Sequence, residues 1–114
     1  MGEIALARVY DPPPSSGSVF LVERLWPRGV RRDAIRIDAW LKDAAPSTAL
    51  RQWFGHDPQK WTEFRARYFH ELDSDPDAWR PLVLTEPLTM LFSSRDREHN
   101  NAVALRDYVI THSP

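Results

Sequence analysis

The chain contains no cysteine. Disulfides, thiolate chemistry and cysteine-bound zinc are therefore excluded, and the composition fits a cytoplasmic protein. Glycine is scarce, with four residues in 114. Neither Gly-x-Gly-x-x-Gly nor Gly-Lys-Ser/Thr occurs, so dinucleotide and P-loop sites lack their phosphate-cradling loop. The same scarcity weighs against a methyltransferase-like cofactor loop, and no cofactor is expected. No apolar run approaches the ~20 residues of a membrane-spanning helix. The N-terminus has no basic stretch leading into an apolar one, so no signal peptide is expected. Leu6 stands where myristoylation needs Ser or Thr. A membrane is thus not an expected partner. The net charge of −1 gives no overall pull toward nucleic acid.

What is present is a globular composition of one domain, residues 1–114, rich in aromatic and charged side chains. The 15 basic residues are 13 Arg and 2 Lys. Arginine suits planar recognition of carboxylate or phosphate, although genomic base composition explains the same bias.

Ile4 to Tyr10 reads as a first strand. Asp11 to Gly17 must be a loop, since three prolines remove donors and fix φ. Val19 to Val22 reads as a strand buried on both faces. From spacing alone the two strands form a hairpin, because the connection is too short for a helical crossover. Ile37, Trp40, Leu41 and Ala44 form a helical stripe that Pro46 ends. Ser47 caps a second helix carrying Leu50, Trp53 and Phe54. Asp57-Pro58 starts a third, with Trp61, Phe64, Tyr68 and Leu72 on one face. Asp75-Pro76 starts a fourth, which Pro81 cuts short. Leu88 to Phe92 is the last strand, and a final helix runs from about Glu98 to Ile110.

Three polar junctions carry the candidate chemistry. In the last, Asp96 reads as an N-cap, with His99 and Asn100 on the first turn. Arg95 beside a helix N-terminus makes an anion pocket. The dipole disfavours the imidazolium, leaving His99 neutral as acid or base, with Asp96 beside it. Asn100 and Asn101 can orient a ligand. The plain alternative is that Asp96 caps, Arg95 pairs with it and His99 packs. In the second junction, Glu23 to Gly29, Arg24 and Arg28 approach Arg95 if the strands are parallel neighbours. Trp26 stacks on a planar ligand or plugs the core. In the third, Gly55 permits close approach and His56 faces the cleft, or both belong to a turn.

A metal held by His56, His99 and Asp96 or Glu98 is conceivable, but no pair has ligand spacing on one element, so none is expected. Ser93 or Ser94 with His99 offers a nucleophile and base without a nucleophile elbow. The partner these residues suit is a small anionic ligand, a phosphate ester or nucleotide. The alternative is a non-enzymatic module binding nucleic acid or protein through Arg and Trp.

Several of these segments together resemble a known family. Arg8-Val9-Tyr10-Asp11-Pro12-Pro13, Glu23-Arg24-Leu25-Trp26-Pro27-Arg28-Gly29, Leu50 to Asp57, Phe64 to Tyr68 and Glu98-His99-Asn100-Asn101-Ala102 fall in the order and spacing of the YeaO-like family, domain of unknown function 488. The resemblance covers nearly the whole chain. It implies a small three-layer α/β domain, Rossmann-like, with a short, largely parallel sheet flanked by helices. That replaces the hairpin with parallel strands. Longer relatives place a helix where this chain has the Pro-rich loop, and carry a Glu and a Cys-His-Arg run at the strand-to-helix junction. Arg95, Asp96, His99, Asn100 and Asn101 stand there here, so thiol chemistry does not transfer. Glu23 stands where Asp is usual, Ser93-Ser94 where small apolar residues are usual, and Pro81 interrupts a helix.

Overall fold

A computed structural model describes residues 4–12, 17–83 and 87–112. Residues 13–16 of the predicted Pro-rich loop and Met1-Gly2 lie outside the described residues. The described chain is an α/β fold built on a four-stranded parallel sheet. The strands are β1 (Ile4–Arg8), β2 (Ser18–Leu21), β3 (Ala39–Trp40) and β4 (Leu88–Phe92), in the order β1-β4-β2-β3. The helices are α1 (Thr48–Phe54), α2 (Trp61–Asp73), α3 (Pro76–Val83) and α4 (Asn101–His112).

All five residues of β4 are buried. A strand apolar on both faces needs a neighbour on each edge, because a buried peptide group without a partner is costly. β4 therefore takes a central place, with Ile4 opposite Leu88 on one side and Ser18 opposite Leu88 on the other. This is why β1 and β2 are not a hairpin. They are parallel, and β4 lies between them.

The sheet's two faces are covered differently. Phe20, Val22, Leu88, Met90 and Phe92 meet Phe64, Tyr68, Leu82 and Leu105 from the helices. Val19, Leu21 and Leu91 meet Trp26, Val30, Ile37 and Trp40. Among the described residues the third layer is thus the irregular 23–38 segment together with the edge strand β3.

Three local expectations are corrected. The stripe Ile37, Trp40, Leu41, Ala44 is not a helix. Asp38 N donates to Val19 O at 2.7 Å, Leu41 N donates to Leu21 O at 2.8 Å, and Asp38 Oδ2 accepts from Val19 N at 2.8 Å. The edge of β2 supplies partners that a lone helical turn cannot match, so Ala39–Trp40 pairs as β3 and a 3-10 turn follows over Lys42–Ala44. The helix begun at Pro76 does not stop at Pro81 but continues to Val83. The last helix begins at Asn101, because its cap is Asn100, whose Oδ1 accepts from Val103 N at 3.0 Å. Asp96 instead closes an Asx turn one step earlier, with Oδ1 accepting from Glu98 N and His99 N.

Candidate functional site

The carboxyl ends of β2 and β4 and the start of α4 are bound together by short polar links. Glu23 Oε1 accepts from both the backbone N and the hydroxyl of Ser93, each at 2.7 Å. Asn101 Nδ2 donates to Val22 O at 2.6 Å. Opposite them stands α1, held by a second carboxylate. Glu71 accepts from Ser47 N at 2.9 Å and Ser47 Oγ at 2.6 Å, while Ser47 Oγ also accepts from Leu50 N as the cap of α1. Arg24 Nε and Nη2 donate to the carbonyls of Pro46 and Ala45, and the Tyr68 hydroxyl donates to Ala44 O at 2.5 Å. Burial holds the Tyr68 phenol well above its ordinary ionisation range, helped by the nearby Glu23 and Glu71 charges, so it stays a donor.

Between these walls lies a cleft of about 340 Å³. Its polar lining includes Glu23, Arg51, His56, Ser93, His99 and Asn101. Phe54, Phe64, Pro46 and the exposed Leu25 give it an apolar side. This is the place where open parallel sheets bind ligands, at the carboxyl ends of the strands.

His99 is held in a defined orientation. Its Nδ1 lies 3.0 Å from Asp96 Oδ2, and its ring meets Trp61 edge-on with centroids 5.4 Å apart. The amides of Glu98 and His99 that bond Asp96 keep its carboxyl below the ordinary carboxylate value. An ionised carboxylate can only accept, so Nδ1 carries a proton, and in the neutral tautomer this leaves Nε2 as an acceptor. His56 follows Gly55 in the left-handed region, with φ of 57° after 54°. Glycine takes that conformation freely, as the C-cap of α1. A histidine there is uncommon, and it places an imidazole at the cleft rim.

The residues anticipated from the sequence divide into two groups. His56, His99, Asn100 and Asn101 line the cleft, and Asp96 supports His99 from behind. Arg24, Arg28, Arg95 and Trp26 do not line it. Arg24 is committed to carbonyls and lies 3.7 Å from Asp43. Arg28 and Arg95 are exposed, and the Arg28 carbonyl accepts from the Tyr10 hydroxyl. Trp26 donates to Val30 O and packs edge-on to Trp40, with the Arg32 guanidinium 4.4 Å above its ring.

Sequence reasoning missed Arg51, Thr48 and Gln52, and gave Glu23 only a supporting part. Arg51 forms no ion pair among the described residues, so it is the free cation of the cleft. Nothing in the run Leu50-Arg51-Gln52-Trp53 separates a polar position facing a cleft from one facing open water. Glu23 had a legible signal, since it directly follows a buried strand.

A second cavity, of about 620 Å³, lies on the other face of the sheet, against Arg8, Tyr10, Val30, Arg36 and Leu91. Arg8 connects the two regions. Its Nε and Nη2 donate to the carbonyls of Ser94 and Ser93.

Comparison with known proteins supplies the context. A sequence family, DUF488-N3i, described as the inactive DUF488-N3 subclade, matches residues 3–113. The chain is 36% identical over 110 residues to the uncharacterized protein YeaO of Escherichia coli, covering 93% of this chain and 96% of that protein. It is 47% identical over 70 residues to the uncharacterized protein Rv3073c of Mycobacterium tuberculosis and to Mb3100c of Mycobacterium bovis. Those matches take in 60% of this chain and 59% of each mycobacterial protein. No solved structure matches. Among the described residues no helix is long and apolar enough to cross a membrane.

Proposed function

Because the chain belongs to DUF488-N3i, the inactive DUF488-N3 subclade, we propose that its cleft binds a small anionic ligand, a phosphate ester or nucleotide, and retains it without turning it over. The setting we infer is the cytoplasm. The observation that carries this reading is Arg51. A guanidinium without an acidic partner among the described residues, on the wall of a cleft at the strand ends, is a site for an anion. The role expected of Arg24, Arg28 and Arg95 falls to Arg51, with His56 lining the same cleft. Asn100 and Asn101 fix the opposite wall, and the apolar side formed by Phe54 and Phe64 suits a planar or hydrocarbon portion of the ligand.

The Asp96–His99 pair favours a second reading, in which His99 serves as a general base. Its geometry is that of an oriented imidazole with one nitrogen turned to a carboxylate. One experiment separates the two readings. Nucleoside monophosphates and sugar phosphates are titrated into the protein and followed by amide chemical shifts and by ³¹P spectra. The binding reading expects shifts at Arg51, His56 and His99, a loss of about ten-fold or more in affinity for Arg51→Ala, and an unchanged phosphorus spectrum. Conversion of any ligand, abolished by His99→Ala, would favour the base reading. No shift at these residues with any phosphate compound would overturn both.

A further inference from the structure

The cleft is polarised in its hydrogen-bonding chemistry. Along the strand-end wall three acceptor atoms are unused among the described residues. Glu23 Oε1 is occupied by Ser93, and Oε2 has no partner among the described residues. Asn101 donates through Nδ2 to a carbonyl, which fixes the orientation of its amide and leaves Oδ1 unused. His99 donates through Nδ1, which in the neutral tautomer leaves Nε2 as an unused acceptor. Asn101 and Glu23 are close neighbours, since Asn101 bonds the carbonyl of Val22, the residue before Glu23. On the α1 wall the Arg51 guanidinium supplies donors and a positive charge with no acidic partner among the described residues.

We propose that the ligand carries a primary ammonium group as well as its anion. The ammonium has three N–H donors and no acceptor, and the strand-end wall offers it three acceptors, one of them on a full negative charge. A ligand that was only anionic would meet the Glu23 carboxylate with repulsion and leave these acceptors to solvent. The ligand class is therefore an amino-bearing phosphate ester, its ammonium against Glu23, Asn101 and His99 and its phosphate against Arg51. This rests on the anion-binding reading above and adds the identity of the other end of the ligand.

The test uses matched pairs that differ in the amine alone. O-phosphoethanolamine is compared with ethyl phosphate, and glucosamine 6-phosphate with glucose 6-phosphate, by calorimetry on the full chain. The expected result is about ten-fold or more tighter binding of the amine-bearing member of at least one pair. Glu23→Gln keeps an oxygen for Ser93 but turns the free acceptor into a donor; it removes the preference and, by lifting the carboxylate's repulsion, tightens ethyl phosphate binding. Arg51→Met weakens both members of a pair alike. Equal binding within both pairs by the natural protein overturns this proposal and leaves the anion reading standing, and that comparison needs no variant. A preference that survives Glu23→Gln overturns it as well. If neither phosphate nor any of the four esters binds, the anion reading fails and takes this one with it.

Discussion

Asn100 offers the sharpest test of the polar junction, because two neighbouring residues compete for the role of helix cap. The side chain is 3% exposed. Its Oδ1 accepts from Val103 N, and its Nδ2 donates to Asp96 O at 2.8 Å. Asn100→Ala removes both bonds. Loss of a cap costs about 1 kcal/mol. The stranded Asp96 carbonyl and Val103 amide raise the total to about 2–3 kcal/mol, since water reaches this buried position poorly. For a chain of this length that corresponds to a fall in melting temperature of about 8–12 °C. Asp96→Ala removes an Asx turn that is a third exposed, and its cost is smaller, about 1 kcal/mol. Asn100→Asp keeps the acceptor for Val103 but sets an oxygen against the Asp96 carbonyl, so it falls between natural protein and Ala. Urea unfolding followed by tryptophan fluorescence gives all three values. A larger loss for Asp96→Ala than for Asn100→Ala, or a loss below about 0.5 kcal/mol for Asn100→Ala, would refute the assignment of the cap.

Two further outcomes are expected. Asp38→Ala loses about 1–2 kcal/mol, because the Val19 amide loses its acceptor; a helix over this segment would gain from alanine instead, so an unchanged or raised urea midpoint would sink the β3 assignment. Asp11 is held at about 2, against an ordinary 3.8, first by the Arg97 guanidinium and then by the Arg8 amide. Its folded value is depressed, so its contribution is complete above 3.8 and is lost as pH falls through about 2. The stability difference between natural protein and Asp11→Asn should hold steady above pH 5 and shrink toward pH 2, and a difference that grows on acidification would contradict the pairing.

The parts of this protein legible in its sequence are those whose signal is local. Ser47 before an apolar stripe, Asp57-Pro58 and the row Phe64, Tyr68, Leu72 give α1 and α2 directly, because capping and helical spacing act within a few residues. The largely apolar run Leu88 to Phe92 marks a central strand for the same kind of reason. The polar junction that follows was legible as a place, and His56, His99, Asn100 and Asn101 do share one cleft. The segment Ile37 to Ala44 was not legible. Its stripe is helical in spacing, and only the unpaired edge of β2, far away in sequence, decides that it is extended. The cap was ambiguous for a related reason. Asp96 and Asn100 are equally good cap residues, and the choice is made where Asn101 is tied to the carbonyl of Val22.

The identity of the cleft's cation belongs to the same class of fact. Thirteen arginines look alike along the chain. Arg24 is taken up by the carbonyls of Ala45 and Pro46, Arg8 by those of Ser93 and Ser94, and Arg97 by Asp11. Only the packing of distant elements removes these from consideration and leaves Arg51 free on the wall. The sequence by itself determined most of the helices and where polar chemistry gathers, because propensity, capping and burial pattern are written over short spans, and its family resemblance implied the class of fold. Tertiary structure alone decided the strand order, the true start of α4 and which charged atoms remain unpartnered, because each of those depends on a competition between groups that the chain brings together only when folded.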